Sequence, residues 1–237
     1  LKIPEEEEEM NIPTIIIGLG GIGSEIVENI ERQMRQSSMS NKCVADRRNN
    51  VKFVIIDTDI NSIREIEENG YQGYSVRLSD NVSVSNCMES NKEELEKWFP
   101  DNKKYYRKSL AEGAGQVRSI SRLALQRAIR SRRLKPLYDA INDLHKPGMR
   151  QNEQEIKIAI VSTIAGGTGS GVILPLGIHI QDYLNRVYSG ENAKINAFLI
   201  LPDVLYDVIP SNKETRNLNA NGYATIKEID AFMKNDM

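Results

Sequence analysis

Cysteine is nearly absent. Cys43 and Cys87 are the only two in 237 residues, and they lack the paired spacings of a zinc site or a disulfide framework, so a reducing compartment, the cytoplasm, is expected. Histidine is as scarce: His145 and His179 fall in separate helical patterns without acidic or cysteine partners at ligand spacing, and they read as satisfied surface or core positions rather than a metal site. An excess of one charge is also missing. With 31 basic and 33 acidic side chains, a net charge of −2, there is no bulk field to draw nucleic acid or an anionic membrane, so any anion must be held locally. No apolar run is long enough to span a bilayer, the first ten residues are acidic where a signal peptide would be basic and then apolar, and no nucleophilic triad is visible. What is left is a chain of ordinary globular make-up, 40% apolar and 27% charged, of a length suited to one α/β domain.

Five glutamates at 5–9 place like charges side by side, so residues 1–11 are expected to form an acidic, disordered leader to a domain over 12–237. The chain opens on Leu1 and reaches Met237 inside a helix-like run with no capping signal, as expected of a piece of a longer protein.

Within the domain, hydrophobic periodicity switches repeatedly between strand and helix. Residues 12–17 form a β-branched run of the kind buried on both faces of a parallel sheet, and Ile26, Val27, Ile30 and Met34 then recur at helical spacing, with Ser24 placed to cap that helix. A polar linker over 37–50 leads to a second strand at 51–56, and 69–91 reads as loops and short edge strands. A short helix at 93–99 stops at Pro100. A long helical pattern then runs from Ile120 to Leu144, where Pro136 is expected to kink or split it. Further strands at 156–161 and 195–201 alternate with helices at 172–188 and 217–233. Alternating strands and helices imply a three-layer, Rossmann-like, doubly wound α/β fold: a mainly parallel sheet with helices on both faces. The basic run Arg127, Arg130, Arg132, Arg133 and Lys135 reads as a solvated helix face.

In such a sheet ligands bind beyond the carboxyl ends of the strands, and the glycine clusters fall there. Gly18-Leu19-Gly20-Gly21-Ile22-Gly23 follows the first strand, where absent β-carbons let backbone amides approach a phosphate; the same pattern also serves dinucleotides or a plain tight turn. Gly166-Gly167-Thr168-Gly169-Ser170-Gly171 is more specific. Its glycines are expected to form a phosphate nest, with Thr168 and Ser170 adding hydroxyl donors. Asp57-Thr58-Asp59 ends the second strand, and Gly113-Ala114-Gly115 precedes the long helix, where each alone could be a turn cap or a hinge.

Taken together and in this order, the four segments resemble the phosphate loops of the tubulin and FtsZ superfamily, whose bacterial tubulin-like members the chain resembles as an N-terminal nucleotide-binding domain. The second glycine cluster is similar to the tubulin signature loop, residues 18–23 to the first phosphate loop, Asp57-Thr58-Asp59 to the second, and Gly113-Ala114-Gly115 with Arg122 and Ala124 to the third. The resemblance implies GTP or GDP as ligand with Mg²⁺. Phosphates would lie at Gly20, Gly21, Ile22, Gly113, Ala114, Gly115, Gly166, Gly167, Thr168, Gly169 and Ser170, Asp57, Thr58 and Asp59 in the magnesium vicinity, and Pro202 and Asp203 near the ribose. It further implies head-to-tail self-association, with hydrolysis in the full-length assembly. Ile22 and Glu25 depart from the small or amide residues of the family, and neither the base-reading helix nor the hydrolytic loop is found: the last segment, with Asn219, Asn221 and Tyr223, looks like the helix after the ribose-contacting loop. Two other readings stay open, an NAD-linked oxidoreductase using residues 18–23 and Asp57, and a tubulin-like interaction module without turnover.

Overall fold

The computed structural model describes residues 12–144, 156–187, 193–208 and 212–235, so the acidic leader and His145 lie outside the described residues. In chain order the elements are β1 (Thr14–Leu19), α1 (Gly20–Ser38), α2 (Lys42–Asn49), β2 (Val51–Asp57), α3 (Ile60–Glu68), β3 (Tyr74–Arg77), α4 (Val84–Ser90), α5 (Lys92–Leu95), α6 (Lys103–Tyr106), α7 (Arg118–Arg130), α8 (Lys135–Leu144), β4 (Ile156–Thr163), α9 (Gly167–Val187), β5 (Ala193–Ile200) and α10 (Asn212–Asn235). Short 3₁₀ turns at Leu110–Glu112 and Pro202–Val208 complete the path.

All five strands are parallel, in the order β3-β2-β1-β4-β5. The chain winds outward from β1 through β2 to β3, then crosses back to β4 beside β1 and on to β5. The reversal lies between β1 and β4, which makes the crevice at their carboxyl ends the place where a doubly wound sheet binds ligands. Register brings those ends level, with Leu19 opposite Ile56 on one side and Ser162 on the other.

Alternation along the strands divides two cores. Ile15, Ile17, Leu19, Val54, Ile56, Ile158 and Ile160 pack against α7, α8 and α9 through Ala124, Leu137, Ile141, Val172 and Leu176. Phe53 and Ile55 face the other way, onto Val27 of α1 and Ile63 and Ile66 of α3. Each fully buried aliphatic side chain contributes about 1.5–3 kcal/mol, so these two faces fix the three-layer architecture. A satellite cluster of Val84, Cys87, Leu95, Phe99, Leu110, Ile120 and Leu123 anchors the excursion between β3 and α7.

Several expectations need correction. The polar linker contains α2, capped by Asn41, whose side chain accepts from the amides of Cys43 and Val44. Helix α3, capped by Asp59, had no counterpart in the sequence reading. The stretch at 69–91 does hold a short edge strand, β3, paired parallel to β2, but it also contains the helix α4, which was not expected. The long helical pattern is indeed divided, but the break falls at 131–134, where Arg132 adopts φ 58°. Pro136 sits in the first turn of α8, where a missing N–H costs nothing. The basic run is ion-paired rather than simply solvated: Arg127 and Arg133 converge on Asp80 at 2.8 and 3.0 Å, and Arg130 pairs with Glu94 at 2.5 Å. Among the described residues, no helix is long and apolar enough to cross a membrane.

Candidate functional site

The four predicted segments meet at one place. A cavity of about 290 Å³ at the carboxyl ends of β1, β2 and β4 is lined by Gly20 and Gly21, by Asp57, Thr58 and Asp59, by Gly113, Ala114, Gly115 and Gln116, and by Gly166, Gly167, Thr168 and Gly169. Ser62 and Thr163 complete its wall. Two helices open onto it. Helix α1 starts at Gly20 after an extended Leu19 that offers no side-chain cap, and α9 starts at Gly167, so the first-turn amides of both, which have no intrahelical acceptor, and the positive ends of both dipoles are directed at the cavity.

The glycines divide by what a β-carbon would meet. At Gly18 it would collide with the backbone of Gly23, and at Gly23 with the Val161 carbonyl: these two let α1 lie against β1 and β4. At Gly169 it would strike the Thr163 carbonyl, and at Gly171 the Arg118 carbonyl, so these two let α9 approach β4 and α7. Gly21 has nothing within 4 Å, and Gly166 only the Thr163 methyl at 3.7 Å. Gly18 and Gly23 of the first motif and Gly169 and Gly171 of the second thus serve packing, Gly167 is crowded by Ala114 Cβ and Gln116 Cα at 2.9 Å, and Gly21 and Gly166 are the open positions beside the cavity.

The expected nest at 166–169 is not a left-handed turn. None of those glycines has positive φ, and from Gly167 onward the segment is the first turn of α9; the donors are helix-terminal amides, a simpler way to present N–H groups to an anion. Positive φ appears instead at Gly20 (φ 74°) in the first segment and in the third, where Gly113 (φ 75°), Gly115 (φ 53°) and Gln116 (φ 61°) follow one another around Ala114. Gly113 has ψ −177°, a combination open essentially to glycine alone.

Polar side chains in the cavity wall form a directed chain. The Ala114 amide donates to Thr58 Oγ1 at 3.1 Å, the Thr58 and Thr168 hydroxyls are 2.7 Å apart, and Thr168 Oγ1 donates to Asp57 Oδ1 at 2.9 Å. With Thr168 committed to Asp57, the Thr58 hydroxyl is the donor between the two threonines. Asp57 Oδ1 also accepts the amides of Thr58 at 2.6 Å and Asp59 at 3.3 Å. Burial pushes the Asp57 carboxyl above the usual carboxylate range, opposed by the bonds from Thr168, Asp59 and Thr58, while the neighbouring Asp59 charge adds to the rise.

This network corrects two assignments. The Thr168 proton goes to Asp57 rather than outward to a ligand, and the Ser170 hydroxyl turns back along α9 to the Gly166 carbonyl at 2.5 Å. Ser170 and Ile22 do not line the cavity. Ser24 is not a cap: it lies inside α1, buried, with its hydroxyl on the Gly18 carbonyl at 3.4 Å. Pro202 and Asp203 also lie off the cavity; a β-carbon at Gly222 of α10 would meet Pro202 Cγ at 2.6 Å, so Pro202 is seated on α10.

Two residues to which the sequence gives no such role, Asn221 and Arg118, hold the loops together. Asn221 of α10 is 7% exposed, and its side-chain amide donates to the carbonyls of Gln116 and Ala165, each at 3.0 Å, clamping the third loop to the start of α9. Arg118 pairs with Glu228 of α10 at 2.6 Å and also donates to the Ser170 carbonyl at 3.0 Å. Nothing in the spacing of either residue marks these roles; they depend on where α10 crosses.

Glycine loops, helix starts and a buried acidic turn thus meet at the switch point of a doubly wound sheet, where α/β domains of this kind place their ligand sites. A family model described as tubulin-like matches residues 15–237, and the chain belongs to that family. Among solved structures it is similar to CetZ1 from Haloferax volcanii, a GDP-bound monomer, with 15% identity and a TM-score of 0.50 over 91% of this chain and 47% of that one. It is also similar to CetZ from Methanosaeta thermophila, with 16% identity and a TM-score of 0.49 over 92% and 43%. The chain spans about half the length of these structures. No curated protein matches it in sequence.

Proposed function

We propose that this domain binds a guanine nucleotide, GTP or GDP, with its phosphates in the cavity between β1 and β4, and that in the full-length protein nucleotide binding is coupled to head-to-tail self-association and hydrolysis. The observation that carries the reading is the convergence of four sequence-distant segments on one cavity that exposes the starts of both α1 and α9. Its volume lies at the lower end for small-molecule sites, a size that fits the phosphate chain more readily than a whole nucleotide. Gly21 and Gly166 give backbone access, and the first-turn amides at Gly20, Gly21, Gly167 and Thr168 bind and orient the oxygens. Membership of the tubulin-like family and the GDP named for the CetZ1 structure support guanine as the base.

Mg²⁺ fits the donor set, because Asp57 and Asp59 present only hard oxygen ligands. Among the described residues no group of three ligating side chains forms a cage, so the ion would be shared with phosphate and water. When bound, it would supply positive charge to the phosphate oxygens. Asp57 and Asp59 would hold it through their carboxylates, while Thr58 and Thr168 fix the Asp57 carboxylate by the bonds described above. The dinucleotide alternative is weakened by the second glycine segment, which opens onto the same cavity as Gly20 and Gly21 and for which a dinucleotide fingerprint has no use.

The test is equilibrium binding of a fluorescent GTP to the purified chain with Mg²⁺, competed by GDP, ATP and NAD⁺. Micromolar binding displaced by GDP, and at least tenfold less well by ATP and NAD⁺, is expected. Absence of binding, or equal displacement by NAD⁺, overturns the proposal. Sedimentation of the full-length protein with and without GTP tests assembly separately.

A further inference from the structure

The cavity wall contains two carboxylates, Asp57 and Asp59, and no lysine or arginine. A nucleoside di- or triphosphate brings several negative charges into that setting. Helix-terminal amides and a divalent ion offset part of this charge, but the balance of formal side-chain charge is unfavourable to an anion. A cation does stand against this wall. Lys108 lies in the segment between α6 and the Leu110–Glu112 turn. A β-carbon built on Gly115 would stand 2.7 Å from the Lys108 Nζ, which places the ammonium group directly against the left-handed third loop.

Three features make this placement more than a surface lysine at rest. Its backbone is fixed at both ends: the Lys108 amide donates to the Tyr105 carbonyl at 3.0 Å and its carbonyl accepts from the Val84 amide at 3.0 Å. The side chain is half-buried, although among the described residues no hydrogen bond or ion pair engages its ammonium group, while Arg118, Arg127, Arg130 and Arg133 all have carboxylate partners. And Gly115, with φ 53°, is the residue whose missing side chain leaves room for that amine beside the cavity.

We infer that Lys108 is the counter-cation of the bound phosphate chain, reaching past Gly115 to pair with phosphate oxygens that the amides of α1 and α9 hold. A lysine ammonium is a flexible point charge with three donors, suited to following a phosphate chain without a fixed fork geometry. The inference rests on the nucleotide reading above. It assigns to this cavity a side-chain cation that none of the four glycine and acidic segments supplies.

The test compares GTP and GDP affinity of the purified chain with those of Lys108→Gln, Lys108→Arg and, as a control for general surface charge, Lys104→Gln, which alters an exposed lysine of α6. Lys108→Gln is expected to weaken nucleotide binding on the order of tenfold, Lys108→Arg to recover most of that loss, and Lys104→Gln to change little. Log affinity against log salt should be shallower for Lys108→Gln than for the unaltered chain, with thermal midpoints of the nucleotide-free proteins unchanged. Equal affinity of Lys108→Gln and the unaltered chain, or an equal loss in Lys104→Gln, overturns the inference while leaving the nucleotide site in place. Failure of the unaltered chain to bind either nucleotide instead removes the underlying reading.

Discussion

Thr58 and Thr168 stand 110 residues apart in sequence and 2.7 Å apart at their hydroxyls. One directly follows β2 and the other lies in the first turn of α9, and their bond closes a chain running from the Ala114 amide to the Asp57 carboxylate. Three of the four site segments therefore share one polar network, and it is assembled before any ligand is considered.

Breaking that chain should cost stability. Thr168→Val keeps the shape and removes the donor to Asp57, and Thr58→Val leaves the Ala114 amide without its acceptor. Each should destabilise the nucleotide-free domain by about 1–3 kcal/mol. Because both act on one chain of bonds, the double variant should lose less than the sum of the two. Urea unfolding of the four proteins measures the coupling; strict additivity would show the hydroxyls to be independent.

Gly21→Ala should separate ligand from fold. Gly21 lies in the first turn of α1 with nothing within 4 Å of a new β-carbon, so alanine should be neutral or stabilising by up to about 1 kcal/mol. The same methyl group intrudes on the space next to the helix-terminal amides, and GTP affinity should fall at least tenfold. Gly169→Ala is the contrasting case: its β-carbon collides with the Thr163 carbonyl, and loss of fold is expected. Gly167→Val is less informative, since the β-carbon would stand 2.9 Å from both Ala114 Cβ and Gln116 Cα and would disturb structure and site together.

Asp57→Asn gives a pH signature. Burial raises the Asp57 carboxyl above its ordinary range, so the folded chain holds that proton more tightly than the unfolded chain does. Stability contributed by the protonated form is fully present below the ordinary carboxylate range and is lost as pH rises through the raised folded value. Asparagine can accept the same three bonds and carries no such dependence. The thermal midpoint of Asp57→Asn relative to the unaltered chain should therefore climb with pH from the acid side toward neutrality, while Mg²⁺-dependent GTP binding drops. A midpoint difference that does not vary with pH would place the titration elsewhere.

Asn221→Leu removes both clamp bonds to Gln116 and Ala165 and leaves two carbonyls in need of partners, a cost of about 1–3 kcal/mol. Hydrogen exchange at Gly167, Thr168 and Gly169 should quicken and nucleotide affinity should fall, although Asn221 does not line the phosphate cavity. Unchanged exchange at those amides would deny the clamp its role.

The inner strands β1, β2 and β4 were legible because they are largely buried: the β-branched runs leading to Leu19, Asp57 and Thr163 leave little choice of period. The three glycine segments and the acidic one were legible as a set because all four fall after strands or before a helix. What could not be read was direction. Thr168 and Ser170 are hydroxyl residues two positions apart in a phosphate-loop pattern, yet one turns to Asp57 and the other to Gly166, a choice set by a partner 111 residues away and by helical geometry. Helix α2 was hidden by its low apolar content, having no buried residue at all, and the split at 131–134 by an arginine in a conformation sequence does not announce.

The division of the glycines has a consequence for descent. Gly18, Gly23, Gly169 and Gly171 are imposed by neighbouring backbone, so a relative that had given up its nucleotide would still have to retain them in order to fold. It would still look, by a count of glycines, like a binder. The positions free to drift would be Gly21 and Gly166, where a side chain meets almost nothing of the protein itself. Those two sites, rather than the motif as a whole, are where a lineage would record whether it still holds a phosphate.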